Sequence, residues 1–88
     1  MKQPRTMSAH RQLAHAIRKR RLFKRWSQAK LAQEIGSSQS VIARLEAGQG
    51  NPTLGLIERI SDALDVSFHL IIEPQREEEP TPPEWLSA

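Results

Sequence analysis

The stretch SQAKLAQEIGSSQSVIARLEAG, residues 27–48, constrains this chain more than any other. Leu31, Ala32 and Ile35 recur at helical spacing, and Ile42 and Leu45 do the same beyond a break at Gly36. Two short helices joined by a tight turn follow from that pattern. Ser27 caps the first, its hydroxyl accepting from N–H groups that lack an intrahelical partner, with Trp26 and Leu31 spaced for a hydrophobic staple. Gly36 ends it, because only a residue without Cβ takes the left-handed backbone there unstrained. Ser38 caps the second and Gly48 stops it. The outward face of this second helix is short and polar.

Upstream, Leu13, Ala14, Ile17 and Arg21 repeat at helical spacing with charges between them, so an amphipathic helix capped by Ser8 is predicted over about residues 8–24, after a flexible head at 1–7. Downstream, GQGNP makes a turn, and Pro52 and Thr53 open a fourth helix whose stripe is Leu54, Ile57, Ile60 or Ser61, and Leu64. From Val66 the period changes from about 3.6 to 2. Phe68, Leu70 and Ile72 fall on one face and Ser67, His69, Ile71 and Glu73 on the other, ended by Pro74, which predicts a strand. A single strand has no partner for its N–H and C=O groups in an otherwise helical chain. The economical partner is the same strand of an identical chain, antiparallel across a two-fold axis. The alternative is an extended arm packed on its own helices. On the first reading Phe68, His69, Leu70, Ile71 and Ile72 are dimerisation residues. A chain of 88 residues without cysteine has neither a disulfide nor a thiolate metal site to reinforce its small core, which favours a second chain. The expected fold class is therefore an all-α domain of four helices plus one C-terminal β-strand forming an intersubunit sheet, over residues 8–73.

The net charge of +3 conceals a division. Residues 1–50 hold eleven Lys/Arg against Glu34 and Glu46, a balance of +9, while residues 51–88 hold two Arg against eight Asp/Glu, a balance of −6. A basic half of this strength points to a polyanion, nucleic acid before an anionic membrane, because Lys and Arg release counterions condensed on phosphate. The tail, residues 74–88, has four prolines and four glutamates in 15 residues and is expected to be disordered. Trp85 and Leu86 near its end are a candidate ligand for a partner's pocket or a degron, or else an apolar tip that folds back on the domain.

The pair of short helices matches the helix-turn-helix pattern, in which the second helix enters the major groove of DNA. Gln28, in the first turn of the first helix, sits where an amide and backbone N–H groups hold a phosphate oxygen. Ser38, Gln39, Ser40, Ala43 and Arg44 are short enough, Arg44 apart, to let the second helix approach base edges. Gln bonds adenine N6/N7 and Arg favours guanine O6/N7. Arg44 reaches a base or a phosphate, or covers the helix with its stem. Asn51 before Pro52 is explained by a capping role in the turn.

Arg21, the SQ at 27–28, the LA at 31–32, the ExG at 46–48 and the NPT at 51–53 together resemble the Cro/CI-type (Xre) helix-turn-helix family, over about 50 of the 88 residues. The resemblance implies a lambda-repressor-like fold, a structural ion pair between Arg21 and Glu46, and a phosphate contact for Asn51. Two positions depart from it: Ser37 stands where a small apolar residue would staple to Ile42, and Gly55 stands where a helix former is usual. The flanks, SAHRQLAHAIR and SFHLIIEP, with the Trp-containing C-terminus, are similar to HipB-type antitoxins. That similarity implies a homodimeric repressor that binds a palindromic double-stranded operator, autoregulates its operon and neutralises a HipA-like kinase toxin.

Other classes fare poorly. His10 and His15 are five apart and do not share a helix face, and there is no phosphate-cradling Gly-rich loop or nucleophile elbow, so neither catalysis, metal nor cofactor is expected. No apolar run approaches the about 18 residues of a membrane span, and a cytoplasmic, nucleoid-associated protein is expected. The alternatives to an antitoxin are a stand-alone Xre-type regulator and a protein-interaction module whose basic face binds an acidic protein or RNA.

Overall fold

Four helices form where the spacing places them: α1 (Ala9–Phe23), α2 (Gln28–Ile35), α3 (Gln39–Glu46) and α4 (Leu54–Leu64), in a computed structural model that describes residues 8–72 and 82–86. Each begins on a hydroxyl. Ser8 Oγ accepts from the Arg11 N–H at 3.2 Å, Ser27 Oγ from Lys30 at 2.9 Å, Ser38 Oγ from Val41 at 3.3 Å and Thr53 Oγ1 from Leu56 at 3.1 Å. Each also ends on a left-handed residue: Arg25 (φ 61°), Gly36 (69°), Gly48 (75°) and Asp65 (59°). The next residue then donates back into the helix, Trp26 to Arg21 O at 3.1 Å, Ser37 to Ala32 O at 2.8 Å, Gln49 to Arg44 O at 2.9 Å and Val66 to Ser61 O at 3.0 Å. Helices of eight residues, such as α2 and α3, are too short to persist alone, so closed ends and packing hold them.

Ile17, Leu31, Ala32, Ile35, Ile42, Leu45, Ile60 and Leu64 form one buried cluster with Leu13, Trp26, Val41, Leu56 and Ala63 packed around it. α2 lies against α3, α3 packs on α1, α2 packs on α4, and α1 meets α4. The expected stripe of α4 is corrected at its start, since Leu54 is 57% exposed and Leu56 turns inward in its place. With Thr53 as the cap, Leu54 is the first helical residue. The inward register then runs through 56, 57, 60, 63 and 64.

The end of α1 holds the end of α4. Arg20 Nε donates to Leu64 O at 2.9 Å, and Lys24 Nζ donates to Ala63 O at 3.2 Å and to the Asp65 carboxylate at 2.7 Å. Cations placed on the last carbonyls of a helix satisfy acceptors that have no partner in the helix and oppose the negative end of its dipole. The Lys24 hydrogen bond also holds the Asp65 carboxyl below its ordinary pKa.

Beyond α4, the expected strand is not formed among the described residues: 66–72 runs on without helix or ladder. A strand is defined by its pairing, and an all-helical core offers no edge to pair with. The alternation predicted for it is visible only at its start. Phe68, 36% exposed, lies beside Leu13, Ala16 and Ile17 of α1 and Ile60 and Leu64 of α4, whereas Leu70 and Ile72 on the same face are 64% and 87% exposed. In the tail, Glu84–Leu86 makes one 3₁₀ turn in which the Leu86 N–H donates to Pro83 O at 3.0 Å. Trp85 and Leu86 are exposed. The head at 1–7 and residues 73–81 and 87–88 of the tail lie outside the described residues.

Candidate nucleic-acid interface

The polar face of α3 is held outward by its apolar one. Ile42 and Leu45 are buried, so Gln39, Ser40 and Arg44 are exposed, the cap Ser38 is exposed at the helix start, and Ala43 is half-buried between them. Ser38 caps the helix and the other four occupy one side of its eight residues, with no side chain longer than Gln39 before Arg44 to keep a groove at a distance.

Behind this face an ion pair fixes α1, α2 and α3 relative to one another. Arg21 Nε donates to Glu46 Oε2 at 2.6 Å, Arg21 Nη2 to Glu46 Oε1 at 2.8 Å and Arg21 Nη1 to Trp26 O at 2.8 Å. The two side chains are only 9% and 4% exposed. Burial by itself would push the Glu46 carboxyl up, but the hydrogen bonds from Arg21 and Gln28 outweigh it and hold Glu46 below the usual carboxylate range. The hydrogen bond to Glu46 in turn raises the pKa of Arg21. No buried side-chain polar atom among the described residues lacks a partner. Gln28 belongs to this network: its Nε2 donates to Glu46 Oε1 at 3.1 Å. That bond fixes the amide at the start of α2.

The α3–α4 loop forms the other wall of the interface. A groove of about 390 Å³ runs along it, lined by Ser37, Arg44, Gln49, Asn51, Thr53 and Arg59 among others. Arg44 folds toward the loop and its guanidinium lies beside Gly50, whose backbone is left-handed (φ 80°); a Cβ there would sit in ordinary contact with Nη2, 3.7 Å away. Asn51 is oriented from α1, with His10 Nε2 3.3 Å from its Oδ1, a hydrogen bond in the tautomer that carries the proton on Nε2. Ser38, Gln39, Ser40, Ala43, Arg44 and Asn51 are thus brought to α3 and the loop beside it. Phe68, His69, Leu70, Ile71, Ile72, Trp85 and Leu86 do not line this groove.

Two contributors were not legible in the sequence. Arg59 is counted within the acidic half, yet α4 turns it into the groove beside Arg44. His10 carries no motif, and only the packing of α1 against the loop brings it to Asn51, 41 residues away.

Four helices with closed ends, the third short and polar-faced, define a helix-turn-helix domain. A helix-turn-helix family model, HTH_3, matches residues 17–71. The chain belongs to the Xre-type helix-turn-helix family. It is 31% identical over 68 residues to the HTH-type transcriptional regulator SinR of Bacillus subtilis, a match covering 76% of this chain and 61% of SinR. The chain thus spans about three-fifths of that relative's length. Among solved structures it is similar to the hypothetical transcription factor NHTF from Neisseria, with TM-score 0.68 at 30% identity over 76% of this chain and 77% of that one. It is also similar to a chain of the HipA-HipB-O2-O3 complex, with TM-score 0.64 at 30% identity over 81% of this chain and all of that one. No described helix is long and apolar enough to cross a membrane.

Proposed function

We propose that this chain is a sequence-specific DNA-binding transcriptional repressor acting as a homodimer, and the antitoxin of a toxin–antitoxin pair. The observation that carries the DNA reading is the exposed, short polar face of α3 standing over a buried apolar one. Gln39 reads adenine through N6 and N7, Ser38 and Ser40 bond neighbouring base or sugar atoms, and Ala43 meets a thymine methyl. Arg44 takes guanine or a phosphate at the groove edge. Gln28 and Asn51 hold phosphate on either side and set the register of α3. The described helices offer no second reading head, so a palindromic operator requires two chains, with equivalent α3 helices one DNA turn apart, about 34 Å.

The dimer forms through residues 66–72. Phe68, His69, Leu70, Ile71 and Ile72 pair with the same segment of a second chain, which gives the unpaired backbone its ladder and covers the exposed apolar side chains. The antitoxin reading is supported by the likeness to a chain of the HipA-HipB-O2-O3 complex along that chain's whole length. On it, residues 8–73 bind DNA and dimerise, and the tail with Trp85 and Leu86 meets a HipA-like kinase toxin, so that operon repression and toxin neutralisation reside in one cytoplasmic protein. The likeness to SinR favours the second reading, a regulator without a toxin.

Gln39→Ala tests the base contact. It is expected to lower affinity for the preferred site by about 1–3 kcal/mol per half-site while leaving binding to random duplex unchanged, measured by titration of both duplexes at one salt concentration. Equal losses on the two duplexes would remove Gln39 from base reading.

A further inference from the structure

The ends of the four helices are alike in geometry and unlike in residue. Gly36 and Gly48 occupy two of the left-handed positions without strain, whereas Arg25 and Asp65 occupy the other two with a Cβ that disfavours that backbone. Asp65 is explained by its fold, because its carboxylate holds Lys24 at 2.7 Å. Arg25 is not. Its backbone closes α1, with its N–H donating to Leu22 O at 2.9 Å, and glycine would do that equally. Its side chain is exposed and forms no hydrogen bond, ion pair or ring contact with the described residues.

Its neighbours define what is left over. Arg20 is bound to Leu64 O, Arg21 to Glu46 and Lys24 to Ala63 O and Asp65, so three of the six cations between residues 18 and 25 are part of the scaffold. Arg18 and Lys19 are exposed as Arg25 is, but they sit in the unstrained helical backbone of α1. Lys30, on the other side of the corner, is paired with Glu34 at 2.9 Å and lies 5.6 Å from the Trp26 ring centroid. Arg25 therefore has no partner among the described residues, at a position where arginine is the more strained choice. It precedes by three residues Gln28, the α2 residue assigned above to phosphate.

We infer that Arg25 contacts the DNA backbone, a phosphate-binding residue held at the α1–α2 corner at the expense of stability. The inference rests on the DNA reading and adds to it a residue that neither the helix-turn-helix pattern nor the α3 face contains. The guanidinium is suited to the role, since it presents parallel N–H donors to two phosphate oxygens and is never deprotonated near neutral pH. A contact of this kind strengthens binding to every sequence alike.

Removal of the side chain should therefore move stability and binding in opposite directions. Arg25→Gly in the full chain is expected to raise Tm by about 4–8 °C through relief of the left-handed strain. It is also expected to weaken binding to random-sequence duplex by about eightfold at 0.1 M salt for each chain bound, and to flatten the slope of log K against log salt by about 0.9, the contribution of one phosphate contact. Arg25→Lys, which keeps both the charge and the strain, should retain the wild-type slope and Tm. An Arg25→Gly protein that binds random duplex with wild-type affinity and slope overturns the inference while leaving the DNA reading in place. A fall in its Tm overturns it as well, because the strain argument then fails. Wild-type binding that does not weaken with salt would instead refute the DNA reading itself.

Discussion

Glu46→Ala is expected to cost about 3–5 kcal/mol, because it leaves the Arg21 guanidinium buried without a counter-charge. The side chain it removes is 4% exposed and accepts three hydrogen bonds, two from Arg21 and one from Gln28. A small domain has a total stability of the order of 5–15 kcal/mol, so a loss of this size unfolds a measurable fraction of the protein at 37 °C. At about 4–8 °C per kcal/mol for a domain of 60–100 residues, Tm should fall by about 12 °C or more. The double variant Arg21→Met/Glu46→Leu should recover most of that loss, since apolar residues of similar volume satisfy the site without desolvated charge. Thermal unfolding of the two variants beside the wild type distinguishes the two cases. A Glu46→Ala protein within about 1 kcal/mol of the wild type would show that the pair is solvated and that the three helices are held by apolar packing alone.

Leu70→Asp should have the second large effect. In the proposed dimer Leu70 sits in the middle of the paired segment, on the same face as Phe68, and a carboxylate placed there meets its symmetry mate across the two-fold axis. Sedimentation should give the mass of one chain where the wild type gives two. Since Leu70 is 64% exposed in the single chain, helix content and Tm at low concentration should hold. The consequence for DNA is larger than the local change, because linked half-sites bind with an avidity of about 10²–10⁴ over one half-site, and that factor is lost with the dimer. An unchanged sedimentation mass would move the dimer contact away from residues 66–72.

Helices were the most legible part of this sequence, because the information that sets them is local. Ser8, Ser27, Ser38 and Thr53 each cap the helix they precede, and Gly36 and Gly48 end theirs. The α4 register slipped at Leu54, where an apolar residue beside the cap looks periodic but precedes the first inward turn. Interactions across long sequence separations were not legible. Nothing in the run of residues 18–25 marks Arg20 and Lys24 as capping α4, 44 and 39 residues on, or separates them from Arg25. The pairing of Arg21 with Glu46 came from family resemblance, not from pattern. The strand expected at 66–73 rested on alternation, which reports two unlike faces but not the edge a ladder needs; among the described residues the segment meets no such edge. At the interface, the five residues of α3 followed from its period, whereas Arg59 and His10 depend on how α4 and α1 pack beside the loop.

The most direct test of the central claim, that α3 of two chains reads a two-fold DNA site, is selection from a pool of random duplexes at about 0.15 M salt, followed by titration of the recovered site. Convergence on an inverted repeat with half-sites about one helical turn apart, bound by two chains and about 10³–10⁷ times more tightly than random duplex, is the expected result. A pool that does not converge, or that yields asymmetric sites bound by one chain with no preference over random duplex, would contradict it.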